Sequence, residues 1–207
     1  MKLDLNIEAI RLNIIKTYSL NISKIGYYSK LKQLLKMSDI PQSELDYSAG
    51  KKLFQNGEFH EAIVEFKKTI EVNPNHRNAW HFIGICYYKT KQYQKAIESW
   101  EHGIELDPTH HFFPLNIGIS YHSNKEYVKA IDYLIKAIEL DPKNRDAWYF
   151  LGSACMMSKQ YQNALEAFKK GIEFHPEDKD MVKSLMITRK IIKKQIKEET
   201  KRRLKEI

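Results

Sequence analysis

Eight histidines and two cysteines are the side chains of this 207-residue chain best suited to hold a metal or act as nucleophiles. Their spacing serves neither purpose. A zinc site needs three or four ligands converging at tetrahedral geometry, yet neither a His-Glu-x-x-His pair nor a paired-cysteine motif occurs. His110 and His111 follow Pro108 in a turn, His76 precedes a helix, and His81 and His122 lie in separate segments. A glycine-rich phosphate loop and a Gly-x-Ser-x-Gly elbow are also missing from the sequence. No catalytic, cofactor-binding or metal-binding residue is assigned, no cofactor is called for, and the chain is read as a binding protein, not an enzyme. The chemistry that remains is recognition, by aromatic and aliphatic side chains and by a run of lysines near the C-terminus.

The elements that position those side chains announce themselves by a period. Pro74, Pro108, Pro142 and Pro176 stand 34 residues apart. The same interval links Gly50, Gly84, Gly118 and Gly152, then Phe59, Tyr93, Tyr127 and Tyr161. It links Ala62, Ala96, Ala130 and Ala164, and the large series Phe66, Trp100, Leu134 and Phe168. Small residues such as Gly84 and Ala96 fall where two helices approach closely, and the two are expected to face each other. Trp100 lies four residues beyond Ala96 on the same helical face. Each proline ends one helix and sets the turn to the next. One helix pair cannot cover its own apolar stripe, so each pair needs its neighbour. The expected pairs are 44–56 with 60–72, 78–90 with 94–106, 112–124 with 128–140, and 146–158 with 162–174. Pro114 delays the start of its helix by one residue, because proline fits only the first turn. Ser43 with Asp46 reads as a capping-box-like start for the first helix.

This pattern resembles the tetratricopeptide repeat family over roughly residues 43–176. Trp80, Ile83, Gly84, Tyr87, Ala96, Trp100 and Pro108 match the family pattern at every diagnostic site, and three further copies match most of theirs. Asp46 departs from it in the first repeat and Pro114 in the third. The resemblance implies an all-α fold: a right-handed α-solenoid of four helix-turn-helix repeats, with flanking N-terminal helices and a C-terminal capping helix. The domains read as an N-terminal helical segment at 1–42, four repeats at 43–178, and a basic capping helix and tail at 179–207.

In this family the first helix of each repeat lines a concave groove. By resemblance the lining residues of the first two repeats are Tyr47, Lys51 and Phe54, then His81, Phe82, Ile85 and Tyr88. The third repeat supplies Phe112, Leu115, Asn116, Ile119 and His122; the fourth supplies Tyr149, Phe150, Ser153, Met156 and Met157. Such a surface is aromatic and aliphatic with few charges, which marks a binding site for an apolar peptide or helix. Some of these side chains are expected to pack against neighbouring helices instead. Family members that clamp the C-terminal carboxylate of heat-shock chaperones carry cations and asparagines at five groove positions. Here those positions read Tyr47, Lys51, Phe82, Phe112 and Asn116, or, one repeat on, His81, Ile85, Asn116, Asp146 and Phe150. At most two fit, so that partner is not expected.

Charge is divided along the chain. Residues 1–42 carry a net +4, the repeats −3 and residues 179–207 +7, within an overall +8. Lys193, Lys194, Lys197, Lys201, Arg202 and Arg203 offer an anionic-membrane or nucleic-acid surface. No aromatic residue lies beyond Phe174 to stack a base, so a solvated face of a capping helix is the preferred reading. That cap is expected to pack from about 179 to 196 through Met181, Val182, Leu185, Met186, Ile191, Ile192 and Ile196, and to fray beyond. In residues 1–42, Leu3, Ile7, Ile10, Ile14 and Tyr18 recur at helical spacing. This segment is read as a front cap, with filling of the groove or self-association as alternatives. No apolar run is long enough for a membrane span. The acidic start does not suit a signal peptide, and Cys86 and Cys155 in separate repeats suit a reduced, cytoplasmic setting. The function expected is a protein-interaction scaffold or adaptor. A chaperone sheltering an apolar segment is the second reading, and anion binding through the basic flanks the third.

Overall fold

The computed structural model describes residues 41–204, and among them every regular element is a helix. They run α1 (Gln42–Gln55), α2 (Phe59–Val72), α3 (Arg77–Lys89), α4 (Tyr93–Leu106), α5 (Phe112–Ser123), α6 (Tyr127–Leu140), α7 (Arg145–Met157), α8 (Tyr161–Phe174) and α9 (Lys179–Arg203). Each boundary of the four pairs lies within two residues of the sequence expectation, and α5 starts one residue late, at Phe112. The solenoid of helix pairs is thus the architecture observed. Residues 1–40 lie outside the described residues, and with them the reading of that segment as cap, groove filler or dimer element.

Each helix packs on the ones before and after it, and the additional contacts join α1 to α3, α5 to α7 and α7 to α9. Contacts that skip an element thus run between first helices. That layer follows the shorter path through the array and forms its inner side.

The core of each repeat is one large side chain pressed against one glycine. Phe66, Trp100, Leu134 and Phe168 are buried, and a Cβ added to Gly84 would come within 2.3 Å of the Trp100 indole. The indole fills the space over Gly84, and Ala96 is buried in the same core; in the third repeat the equivalent alanine's carbonyl oxygen, of Ala130, lies 3.3 Å from a Cβ placed on Gly118. The Trp100 indole N–H also donates to the His81 carbonyl at 3.1 Å, tying α4 to α3.

Two turn devices repeat with the period. Gly57, Lys91, Lys125 and Lys159, spaced 34 apart, all hold positive φ between the helices of a pair. The amide after each reaches back to close the turn, as Gln92 N–H does to the Tyr87 carbonyl at 2.8 Å, in the manner of a Schellman motif. Lysine in this conformation is strained, and only the hydrogen-bonded turn selects it. At the start of each later repeat a basic side chain meets the acidic turn that ends that repeat: Arg77 with Asp107, the His111 ring with Asp141 at 3.8 Å, and Arg145 with Asp178 at 2.6 Å.

Helix starts follow local chemistry. His76 and Asn144 accept the amides of Ala79 and Ala147, and Asp178 those of Asp180 and Met181. Ser43 caps nothing: it lies inside α1 and is buried, because Pro41 brings the helix start forward to Gln42. The α9 helix begins as a fifth first helix, with Met181 against Gly171 as Phe113 lies against Gly103. No further helix of the described residues covers it, and Met186, where the repeats carry glycine, is 65% exposed, and Ile196 is 61% exposed. The packed stripe is therefore Met181, Leu185 and Thr188 with Ile191 and Ile192 half-buried, shorter than expected, while the helix itself runs on to Arg203 rather than fraying. Ending the chain after Ile196 is expected to leave the melting temperature within about 2 °C of the full chain, since residues 197–204 are all exposed. A calorimetric melt checks this.

Candidate functional site: the inner helix layer

The inner face starts from Tyr47, Lys51 and Phe54 on α1. Lys51 is exposed, its ammonium 5.7 Å from the Tyr47 ring centroid. Phe82 of α3 reaches into this group, 5.1 Å from Phe54 and 6.1 Å from Tyr47, and stacks on Phe66 at 5.4 Å. It is half-buried, wedged between the first two repeats, with one edge to solvent.

A second group surrounds Phe112 at the start of α5. Its ring lies 6.4 Å from His81, 5.5 Å from His110 and 4.3 Å from His111, yet it stays 44% exposed. Burial, with His110 and Arg77 nearby, holds the His81 imidazole neutral by lowering its pKa to about 4. His110 is lowered in the same direction by burial and Arg77. The Nδ1 atoms of His81 and His110 are buried without a hydrogen-bond partner, so a proton placed on either would be an unpaired buried donor.

The third group joins α5 to α7. His122 shares a 2.8 Å hydrogen bond with Ser153, and its ring meets Phe150 edge-on at 5.4 Å. Phe150 in turn lies 5.4 Å from Tyr149. Burial lowers the pKa of His122 as well. Tyr88 makes the matching link from α3 to α5, its hydroxyl 3.1 Å from that of Ser123. These bonds lock adjacent first helices together, and residue spacing alone did not reveal them.

The inner layer brings together most of the residues named from the sequence. Ile85, Asn116, Ile119 and Met156 are half-buried between the aromatic groups, and Met157 is exposed at the far end. Leu115 does not belong with them. At 5% exposure it is a core residue, because Pro114 and the late start of α5 leave Phe112 as the side chain turned outward. Lys51 is the one formally charged residue of the seventeen named, and the Arg145 guanidinium lies over the Tyr149 ring, 5.0 Å from its centroid.

A tetratricopeptide repeat model matches residues 121–186 and a second matches 77–110. Among solved structures, a crystal structure of MamA is 27% identical, with a TM-score of 0.68 over 71% of this chain and 80% of that one. MamA 41-end from Desulfovibrio magneticus RS-1 is 21% identical, with a TM-score of 0.70, covering 80% of this chain and 95% of that chain. The first TPR of Spaghetti (RPAP3), bound to HSP90 peptide SRMEEVD, is 20% identical at a TM-score of 0.54, over 56% of this chain and 92% of that one. The last two likenesses speak to the fold alone. No curated protein matches the chain.

Proposed function

The chain belongs to the tetratricopeptide repeat family, whose fold serves protein–protein interaction, and from that premise we propose a scaffold that takes an apolar peptide or amphipathic helix on its inner face. One observation carries this: the face is a half-buried aromatic floor with few charges and a single exposed ring, Phe112, near its middle. An apolar helix gains by covering such rings, and aromatic anchors at the centre of an interface carry most of its energy. A terminal carboxylate gains little, since imidazoles kept neutral by burial offer it no charge. The buried thiols agree with work in a reducing, cytoplasmic compartment: burial pushes Cys86 up to about 12 and Cys155 to about 11, leaving both inert.

The test uses a labelled peptide of residues 3–20, whose Leu3, Ile7, Ile10 and Ile14 form an apolar helical stripe. The intact chain, or the chain lacking residues 1–42 if that segment occupies the groove, is expected to bind it. Phe112→Ala and Phe82→Ala are each expected to weaken binding by about 30-fold, the loss of one central anchor. Tighter binding of an acidic peptide with a free C-terminal carboxylate would sink the reading.

A further inference from the structure

The α9 helix is longer than a cap requires. Its buried side chains, Met181, Leu185 and Thr188, end two turns after its start, and nothing beyond Ile192 is even half-buried. The helix nonetheless continues for three more turns to Arg203.

Charge on it is sorted by face. At 3.6 residues per turn, Lys183, Lys190, Lys194, Lys197 and Lys201 fall within an arc of about 60°, directly opposite the buried side chains. Lys193 borders the arc, and all six are exposed. The stripe is about 27 Å long at 1.5 Å per residue. The carboxylates lie elsewhere: Glu198 at the edge, 3.8 Å from Lys194, and Glu199 on the far side, engaged with Arg202 and Arg203. Among the described residues, Lys183, Lys190, Lys193, Lys197 and Lys201 have no carboxylate partner.

Apolar side chains share the outer face. Met186 and Leu204, 65% and 69% exposed, project about 20° from the edge of the lysine arc, between it and Lys193. We infer that α9 is a surface-seeking helix that lies along an anionic lipid bilayer, its lysine ammoniums on headgroup phosphates and Met186 and Leu204 entering the acyl boundary. Clusters of four to eight cations on one helix face bind anionic leaflets, and lysine stems bury their methylenes while the charge stays at the headgroups. The interleaved apolar residues favour lipid over nucleic acid, whose phosphate backbone would leave them in water. The arc points away from the array, so a bound bilayer leaves the inner face free for its protein partner. No helix of the described residues is long and apolar enough to cross a membrane, which makes the contact interfacial.

The full chain is assayed by co-sedimentation with vesicles of phosphatidylcholine alone and of phosphatidylcholine with phosphatidylserine. Binding is expected only with phosphatidylserine, falling steeply with added salt. Lys190→Gln with Lys193→Gln, Lys197→Gln and Lys201→Gln is expected to lower partitioning by at least about 50-fold. Met186→Ser with Leu204→Ser is expected to lower it about tenfold, with all lysines kept. Both variants should melt like the parent, since they alter only the outward face. No binding to phosphatidylserine vesicles overturns the inference. So does binding that the lysine variant leaves unchanged, which would place the contact in residues 1–42. Equal or tighter binding to duplex DNA, insensitive to the apolar variant, overturns it in favour of nucleic acid.

Discussion

Trp100→Ala is expected to cost about 3–5 kcal/mol, the range for emptying the site of a large buried aromatic side chain. For a chain of this size that lowers the melting temperature by roughly 10 °C. The indole is 2% exposed, fills the space over Gly84 and donates to the His81 carbonyl, so its loss opens a cavity and removes a hydrogen bond between α3 and α4. The converse substitution tests the same contact from the other side. Gly84→Ala would set a methyl within 2.3 Å of the indole and is expected to destabilise by about 1–3 kcal/mol, although alanine is the better helix former. In the Trp100→Ala background the added methyl meets open space, and its cost should vanish or reverse. A double-mutant cycle read by urea unfolding measures this coupling. Strictly additive effects would mean that the indole and the glycine do not share one space.

Acid should weaken the fold before its carboxylates titrate. The His81 imidazole has its pKa lowered to about 4 in the folded chain, first by burial and then by His110 and Arg77. In the unfolded chain it titrates near its ordinary value of about 6.5. A group whose folded pKa is depressed contributes its stability above the unfolded pKa and loses it as pH falls towards the folded one. The window therefore opens near pH 6.5 and closes near pH 4. A loss of about 2 kcal/mol is expected by pH 5 from His81 alone, and His110 and His122, shifted in the same direction, add to it. Asp107, held low by Thr109 and then Arg77, and Asp178, held low by Arg145 against its own burial, contribute only at lower pH. Urea midpoints at pH 7 and pH 5 read the effect, and His81→Phe should remove most of the slope. A midpoint that does not move, or a slope that survives the substitution, would show that His81 meets its proton without penalty.

The wider consequence of neutral imidazoles is the character of the inner face. Charged histidines around Phe112 would make it a site for anions. Held neutral by burial, His81 and His110 act as further aromatic surface, which suits an apolar partner.

What the sequence by itself determined is the repeat and its core. Glycine and a large side chain sixteen residues later, with proline after each second helix, specify a pair of helices that meet within one 34-residue unit. These are short-range contacts, which is why every helix of the four repeats could be placed within two residues and Pro114 could be seen to delay α5. The tertiary structure decided which side chains of the first helices meet solvent. Phe82 wedges against Phe66 of the preceding repeat, Leu115 sinks into the core and Phe112 turns out, because those fates depend on how neighbouring pairs stack. Lysine at three left-handed turn positions was equally invisible, since lysine has no preference for that conformation and the closing hydrogen bonds impose it. The outward lysine arc of α9 was legible as composition, but not as a surface. Its direction was set only when Met181 and Leu185 docked on α8 and α7, because a helix shows solvent the face its neighbours leave uncovered.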